Sequence, residues 1–159
     1  MNVIEKNKLK VILVITSILA LVFTAIVGVE YLDKKRKDRA LKYFGKGMVV
    51  FFAGGTGHPY FSTDTGAVLR AVEIEADTIL LAKAIDGVYD SDPKSNPNAK
   101  KYSEISIEEV LDKKLAVIDL AATIMCYENK MPMQVFGLGE ENSIVDAANG
   151  INNGTKVTV

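Results

Sequence analysis

The sequence predicts an α/β fold built on a parallel sheet, and three observations carry that prediction. Short apolar runs beginning at Met48, Thr78 and Met133 have strand length. The segments between them place apolar residues at helical spacing. Loops rich in Gly, Asp, Ser and Pro follow the first two runs at their carboxyl ends, where ligands sit in open α/β sheets. Two such strands joined by one helix make a right-handed βαβ unit, and so a parallel pair.

Before the sheet comes a segment of another kind. From Val11 to Val29 the chain is uncharged and almost wholly apolar, the length needed to cross a hydrocarbon core of roughly 30 Å. It reads as a single transmembrane helix. Lys6, Lys8 and Lys10 precede it, while Lys34, Lys35, Arg36, Lys37 and Arg39 follow it. The heavier basic flank on the carboxyl side places the rest of the chain on the cytoplasmic face of the membrane. The expected organisation is therefore residues 1–29 as an anchor segment and residues 30–159 as a globular half-domain.

Within that half-domain, Glu30 to Phe44 reads as a helix stopped by Gly45 and Gly47, leading into the strand that starts at Met48. A helix from Asp64 to Glu75 follows, with Val68, Leu69, Val72 and Ile74 as its apolar members. Thr78 to Ala82 is the second strand. Lys83 to Asn98 is a loop or tight hairpin, marked by Asp86-Gly87, Pro93 and Pro97. Ser106-Ile107-Glu108-Glu109 is a capping box that starts another helix. The helix from about Asp119 to Asn129 has Leu120, Ile124 and Met125 as its core stripe. Met133 to Leu138 is the third strand, Asn142 to Asn149 a short helix, and Thr155 to Val159 the last strand.

The stretch with chemistry in it lies between the first strand and the second helix. Gly54, Gly55 and Gly57 let the backbone approach a ligand closely, and Ser62, Thr63, Asp64 and Thr65 bring hydroxyls and amides to a helix start, which favours an anion. The same residues also fit an ordinary strand-to-helix turn capped by Ser62 or Asp64. A formal net charge of −1, with no basic stripe in the globular part, argues against nucleic-acid binding. Cys126 is the single cysteine, which excludes an internal disulfide, and with His58 the single histidine the sequence offers no metal cluster. Asp90 and Asp92 resemble the start of a calcium loop but lack the glycine and distant glutamate such loops need.

Taken together, Ala53 to Thr65, Glu73-Ile74-Glu75-Ala76-Asp77, Asp86 to Pro93 and Pro132-Met133-Gln134-Val135-Phe136 resemble the bacterial UMP kinases of the amino-acid kinase superfamily. The resemblance runs from about Tyr31 to Val159 and covers the carboxyl-terminal half of such an enzyme. It implies a three-layer αβα sandwich, phosphoryl transfer from ATP to UMP with magnesium, and a cytoplasmic homohexamer. It further implies that Thr56, Gly57, His58, Pro59, Tyr60, Phe61, Ser62 and Thr63 hold UMP. Lys83, Tyr89 and Asp92 match positions lining the ATP site, and Asp64 matches a catalytic acidic position that helps order phosphate-binding lysines.

Three residues depart from the family pattern: His58 stands in place of asparagine, Lys83 in place of threonine, and Leu81 in place of lysine. The family's lysine-bearing strand and Gly-rich phosphate loop have no counterpart before Tyr31. Phosphoryl transfer rests on positioning and charge neutralisation, so the chain alone is expected to be inactive and to pair with a complementary amino-terminal half or with itself. The other expectation is a membrane-anchored, non-catalytic nucleotide-binding or interaction half-domain.

Overall fold

A computed structural model describes residues 35–115 and 117–159. The transmembrane helix expected over residues 11–29 lies outside them; among the described residues no helix is long and apolar enough to cross a membrane. The chain divides into two compact units, Met1–Val50 and Phe51–Val159. In the first, helix α1 occupies residues 35–44. It ends where the Gly45 amide donates back to the Leu41 carbonyl and Gly47 turns left-handed at φ +69°, as glycines after a helix do.

The second unit contains four further helices and four strands among the described residues. They follow the order α2 (Thr63–Glu73), β1 (Ile79–Lys83), β2 (Glu104–Ser106), α3 (Ile107–Asp112), α4 (Leu120–Glu128), β3 (Met133–Gly137), α5 (Ser143–Ala148) and β4 (Thr155–Thr158). The strands form one sheet in the order β1-β3-β4-β2. β1 pairs in parallel with β3, Ile79 opposite Met133 and Lys83 opposite Gly137. β2 pairs in parallel with β4, while β3 and β4 are antiparallel. The sheet is thus mixed rather than wholly parallel.

The strand expected from Met48 is absent. Residues 48–53 have no strand pairing, and Phe51 is 91% exposed. An apolar run becomes a strand only when a neighbour completes its ladder, and the outer side of β1 carries no strand among the described residues. The βαβ unit expected there does not form. The parallel pair β1–β3 is instead closed by the long connection through β2, α3 and α4. β2 was not legible in the sequence, because three residues with one buried side chain, Ile105, show no periodicity.

β3 is the buried heart of the sheet. Met133 and Val135 point into a core shared with Val68 of α2, Ile79 of β1, Val110 of α3, Ala122 and Cys126 of α4 and Val157 of β4. Phe136, one residue out of phase, lies on the opposite face and is 2% exposed. α5 packs against β3 and β1, so both faces of β3 are covered, as expected for a strand with helices on either side of its sheet. Gly154, just before β4, has room for no side chain: a Cβ there would lie 1.9 Å from the Val135 carbonyl oxygen.

The core stripe of α4 also differs from the expectation. Leu120 is 67% exposed and Ile124 is exposed, whereas Ala122, Thr123 and Cys126 are buried and Met125 is partly buried. The helix is apolar nearly all round, so its pattern does not reveal which face turns inward. Small residues do so here because α4 crosses α2, and small side chains let two helices approach closely.

Candidate functional site

The parallel strands β1 and β3 end side by side at Lys83 and Gly137, and antiparallel β4 begins on the same edge at Thr155. The loops after β1 and β3 and the start of α2 all serve this edge. Three hydrogen-bonded groups are built there.

The first is the start of α2. Ser62 is its N-cap: extended backbone at φ −77°, ψ 171° lets the side-chain oxygen accept from the Thr65 amide at 3.1 Å. The preceding loop is exposed from Gly57 to Phe61 and kept open by local contacts, with Thr56 Oγ1 accepting from the His58 amide at 3.2 Å. Tyr60 is fully exposed in the left-handed region at φ +71°. The loop backbone folds down onto the helix, because a Cβ on Gly66 would meet Gly55 Cα at 3.3 Å. Asp64 sits in the first turn, where a carboxylate is favoured by the helix dipole.

The second group centres on Lys83. Its Nζ donates to Asp64 Oδ2 at 2.7 Å and to the Val117 carbonyl at 3.0 Å. The structure therefore brings together Asp64 and Lys83, predicted from the sequence for different roles. Two residues beyond Val117, Asp119 gathers the same corner. Its carboxylate accepts from the Ser62 hydroxyl, from Thr65 Oγ1 at 2.9 Å and 3.0 Å, and from the Ala122 amide at 3.0 Å as the N-cap of α4. Partial burial acts to raise its pKa, but the bonds from Ser62, Ala122 and Thr65 outweigh that and hold the carboxyl below the usual aspartate value. Asp119 was missed as a site residue. The sequence signals a helix start there, but not that its partners stand 54 and 57 residues away.

The third group follows β1. Tyr89 Oη donates to Asp86 Oδ1 at 2.7 Å, and Asp86 Oδ2 accepts from Lys101 Nζ at 2.8 Å. The Lys101 bond is the main cause that holds the Asp86 carboxyl below its ordinary value; Asp86 in turn raises both Lys101 and the Tyr89 phenol. Asp86 Cβ and the Glu140 carboxylate lie against Gly137, within 3.2 Å and 3.1 Å of where a Cβ would be. Thr155 anchors this loop from below, its Oγ1 accepting from the Val88 amide at 2.8 Å and donating to the Tyr102 carbonyl at 2.5 Å.

Asp92 is not part of these groups. It is exposed in a turn, accepting from the Lys94 amide at 2.9 Å through its side chain and from the Ser95 and Asn96 amides through its carbonyl. Pro59, Tyr60 and Phe61 are likewise exposed. Chemically, the corner offers the amino end of an 11-residue helix, hydroxyls and an ammonium around Asp64. The helix start favours an anionic group, while the ammonium and the Ser62 and Thr65 hydroxyls are engaged by Asp64 and Asp119. Among the described residues, no three His, Cys, Asp or Glu side chains stand together as a metal cage.

Comparison with known proteins gives this edge its context. A uridylate kinase of Mycoplasmopsis synoviae (strain 53) is 53% identical over 122 residues, which cover 76% of this chain and 51% of that protein. The crystal structure of UMP kinase from Ureaplasma parvum matches with a TM-score of 0.72 at 42% identity, over 77% of this chain and 53% of that one. UMP kinase from Bacillus anthracis matches with a TM-score of 0.73 at 35% identity, over 77% of this chain and 50% of that one. The chain spans about half the length of these relatives. The model of the amino acid kinase family matches residues 10–137, an interval that takes in the apolar run 11–29. With that match over most of its length, the chain belongs to the amino acid kinase family.

Proposed function

We propose that this chain is the acceptor-binding half of a uridylate kinase, acting in phosphoryl transfer from ATP to UMP to give UDP and ADP. The observation that carries the reading is the convergence of the α2 amino end, Asp64 and Lys83 at the carboxyl ends of β1 and β3. It lies in a chain 53% identical to a uridylate kinase. On this reading Thr56 to Thr63 hold UMP, their amides and hydroxyls taking its polar groups. His58 adds a donor, and the exposed rings of Tyr60 and Phe61 offer a flat apolar surface. Asp64 orders Lys83. Tyr89 and its loop, with Asp92 at the far turn, face the ATP side.

Magnesium belongs to the same reading, as an ion carried mainly on nucleotide phosphates, the usual arrangement for this cation. It would supply charge neutralisation at the transferred group. Turnover, on the proposal, also needs groups that position and neutralise the transferred phosphate. The apolar run 11–29 supports a second reading, a single-pass membrane protein with a cytoplasmic nucleotide-binding domain. Membrane fractionation with alkaline extraction tests that anchor.

The central test is titration of the full chain with UMP, followed by a coupled assay for UDP formation with ATP and magnesium. Saturable UMP binding supports the acceptor role. UMP binding with no UDP formed, even with a complementary half added, favours the non-catalytic reading. No UMP binding at millimolar concentration refutes both.

A further inference from the structure

Resting on the acceptor reading for its ligand, we propose that Lys83 is a positioning residue, which orders the loop 56–62 through the segment 117–119 rather than by touching nucleotide. Two bonds leave its ammonium, to Asp64 Oδ2 at 2.7 Å in the first turn of α2 and to the Val117 carbonyl at 3.0 Å. The first fixes the helix start; the second fixes the chain two residues before Asp119. Asp119 then closes the circuit by accepting from Ser62 and Thr65, the N-cap and third residue of the same helix.

One lysine at the end of β1 thus holds α2 both directly and through the start of α4. At its amino end the loop 56–62 rests on Gly66 through the backbone of Gly55 and Thr56, and the side-chain bonds of Thr56 stay local, to His58. Its residues from Gly57 to Ser62 are exposed. Its carboxyl end, at Ser62, is held by the circuit through Asp119 and the helix cap. A neutral side chain at residue 83 could not make these two charge-assisted bonds, which are stronger than neutral ones.

The test uses the full chain carrying Lys83→Met, with UMP and uridine titrated separately and amide hydrogen exchange followed over residues 62–66. A positioning role predicts that both ligands weaken by the same factor, about tenfold for the loss of charge-assisted bonds. Exchange at Thr65 and Gly66, whose amides bond to Ser62, is expected to speed up. Adding Asp119→Asn to Lys83→Met is expected to cost little more, because the two changes break one circuit. A loss confined to UMP, with uridine binding intact, overturns the proposal by showing that Lys83 contacts the phosphate. Unchanged exchange at residues 62–66 overturns it as well. Lys83→Arg keeps charge and donors and guards against misfolding: it is expected to preserve uridine affinity and slow exchange, and fast local exchange in that folded variant also refutes the circuit. If neither ligand binds the unaltered chain while Lys83→Met still speeds exchange at residues 62–66, the circuit stands and the uridylate reading fails.

Discussion

Thr155→Val tests how the loop after β1 is fastened to the sheet. Thr155 is completely buried, and its hydroxyl makes two bonds at once, accepting from the Val88 amide and donating to the Tyr102 carbonyl. Val88 and Tyr102 also bond to each other, the Tyr102 amide donating to the Val88 carbonyl at 2.9 Å. Valine has nearly the same shape as threonine, so the substitution removes the hydroxyl without opening a cavity. It leaves a buried N–H and a half-buried carbonyl without partners. Leaving a buried polar group unsatisfied costs about 1–3 kcal/mol, and the half-buried carbonyl belongs at the lower end of that range. The expected loss is about 2–4 kcal/mol, which lowers the thermal midpoint of a unit this size by roughly 10 °C or more. Thr155→Ser keeps both bonds and loses one methyl group, so it is expected to cost only about 1 kcal/mol. Urea and thermal unfolding of the full chain, followed by circular dichroism, measure both variants. A Thr155→Val variant within 0.5 kcal/mol of the unaltered protein, a margin typical of surface changes, would refute this account of the anchor.

Asp86 and Lys101 make stability depend on pH in opposite directions. The folded Asp86 pKa is depressed, so its contribution is present above the unfolded carboxyl range and lost as pH falls through the lower folded value. The Lys101 pKa is raised, so its contribution is present below the unfolded lysine value and lost as pH rises through the higher one. Asp86→Asn should flatten the acid limb of a stability–pH curve while costing less than about 1 kcal/mol at neutral pH, since both side chains are about one-third exposed; an unaltered acid limb contradicts the pairing. Burial raises the Cys126 thiol to about 11, so a thiol reagent at pH 8 should leave the folded chain unlabelled and react at the rate of its unfolding. Immediate labelling in native buffer would show that this face of α4 is open. Gly154→Ala should cost about 3 kcal/mol or more, because its Cβ would overlap the Val135 carbonyl; a mild effect in chemical denaturation would mean that the β3–β4 register shifts easily.

Local features carried over from sequence to structure where local chemistry decides them. The Ser106 box starts α3 with the Ser106 oxygen accepting from the Glu109 amide at 3.1 Å, although the Glu109 carboxylate pairs with Lys113 instead of returning to Ser106. The runs at Thr78 and Met133 became β1 and β3, short apolar segments that complete each other's ladder as a parallel pair. The stripe of α4 did not carry over. Inward direction in an all-round apolar helix depends on the neighbour it crosses, and α2 selects Ala122 and Cys126 over Leu120 and Ile124.

By itself the sequence determined the α/β class, the helix start at Ser106, the existence of strands near Thr78 to Ala82 and Met133 to Leu138, and, through its motifs, kinship with the amino acid kinases. These depend on caps, periodicity and short motifs, all within a few residues of chain. Only the tertiary structure decided that Lys83 meets Asp64, that Asp119 gathers Ser62 and Thr65, that Thr155 fastens the loop after β1, and that the run at Met48 forms no strand. Each of these depends on partners 19 to 67 residues apart or on a free sheet edge. A hydrogen bond's worth is set by what stands across from it in space, which the linear order of residues does not state.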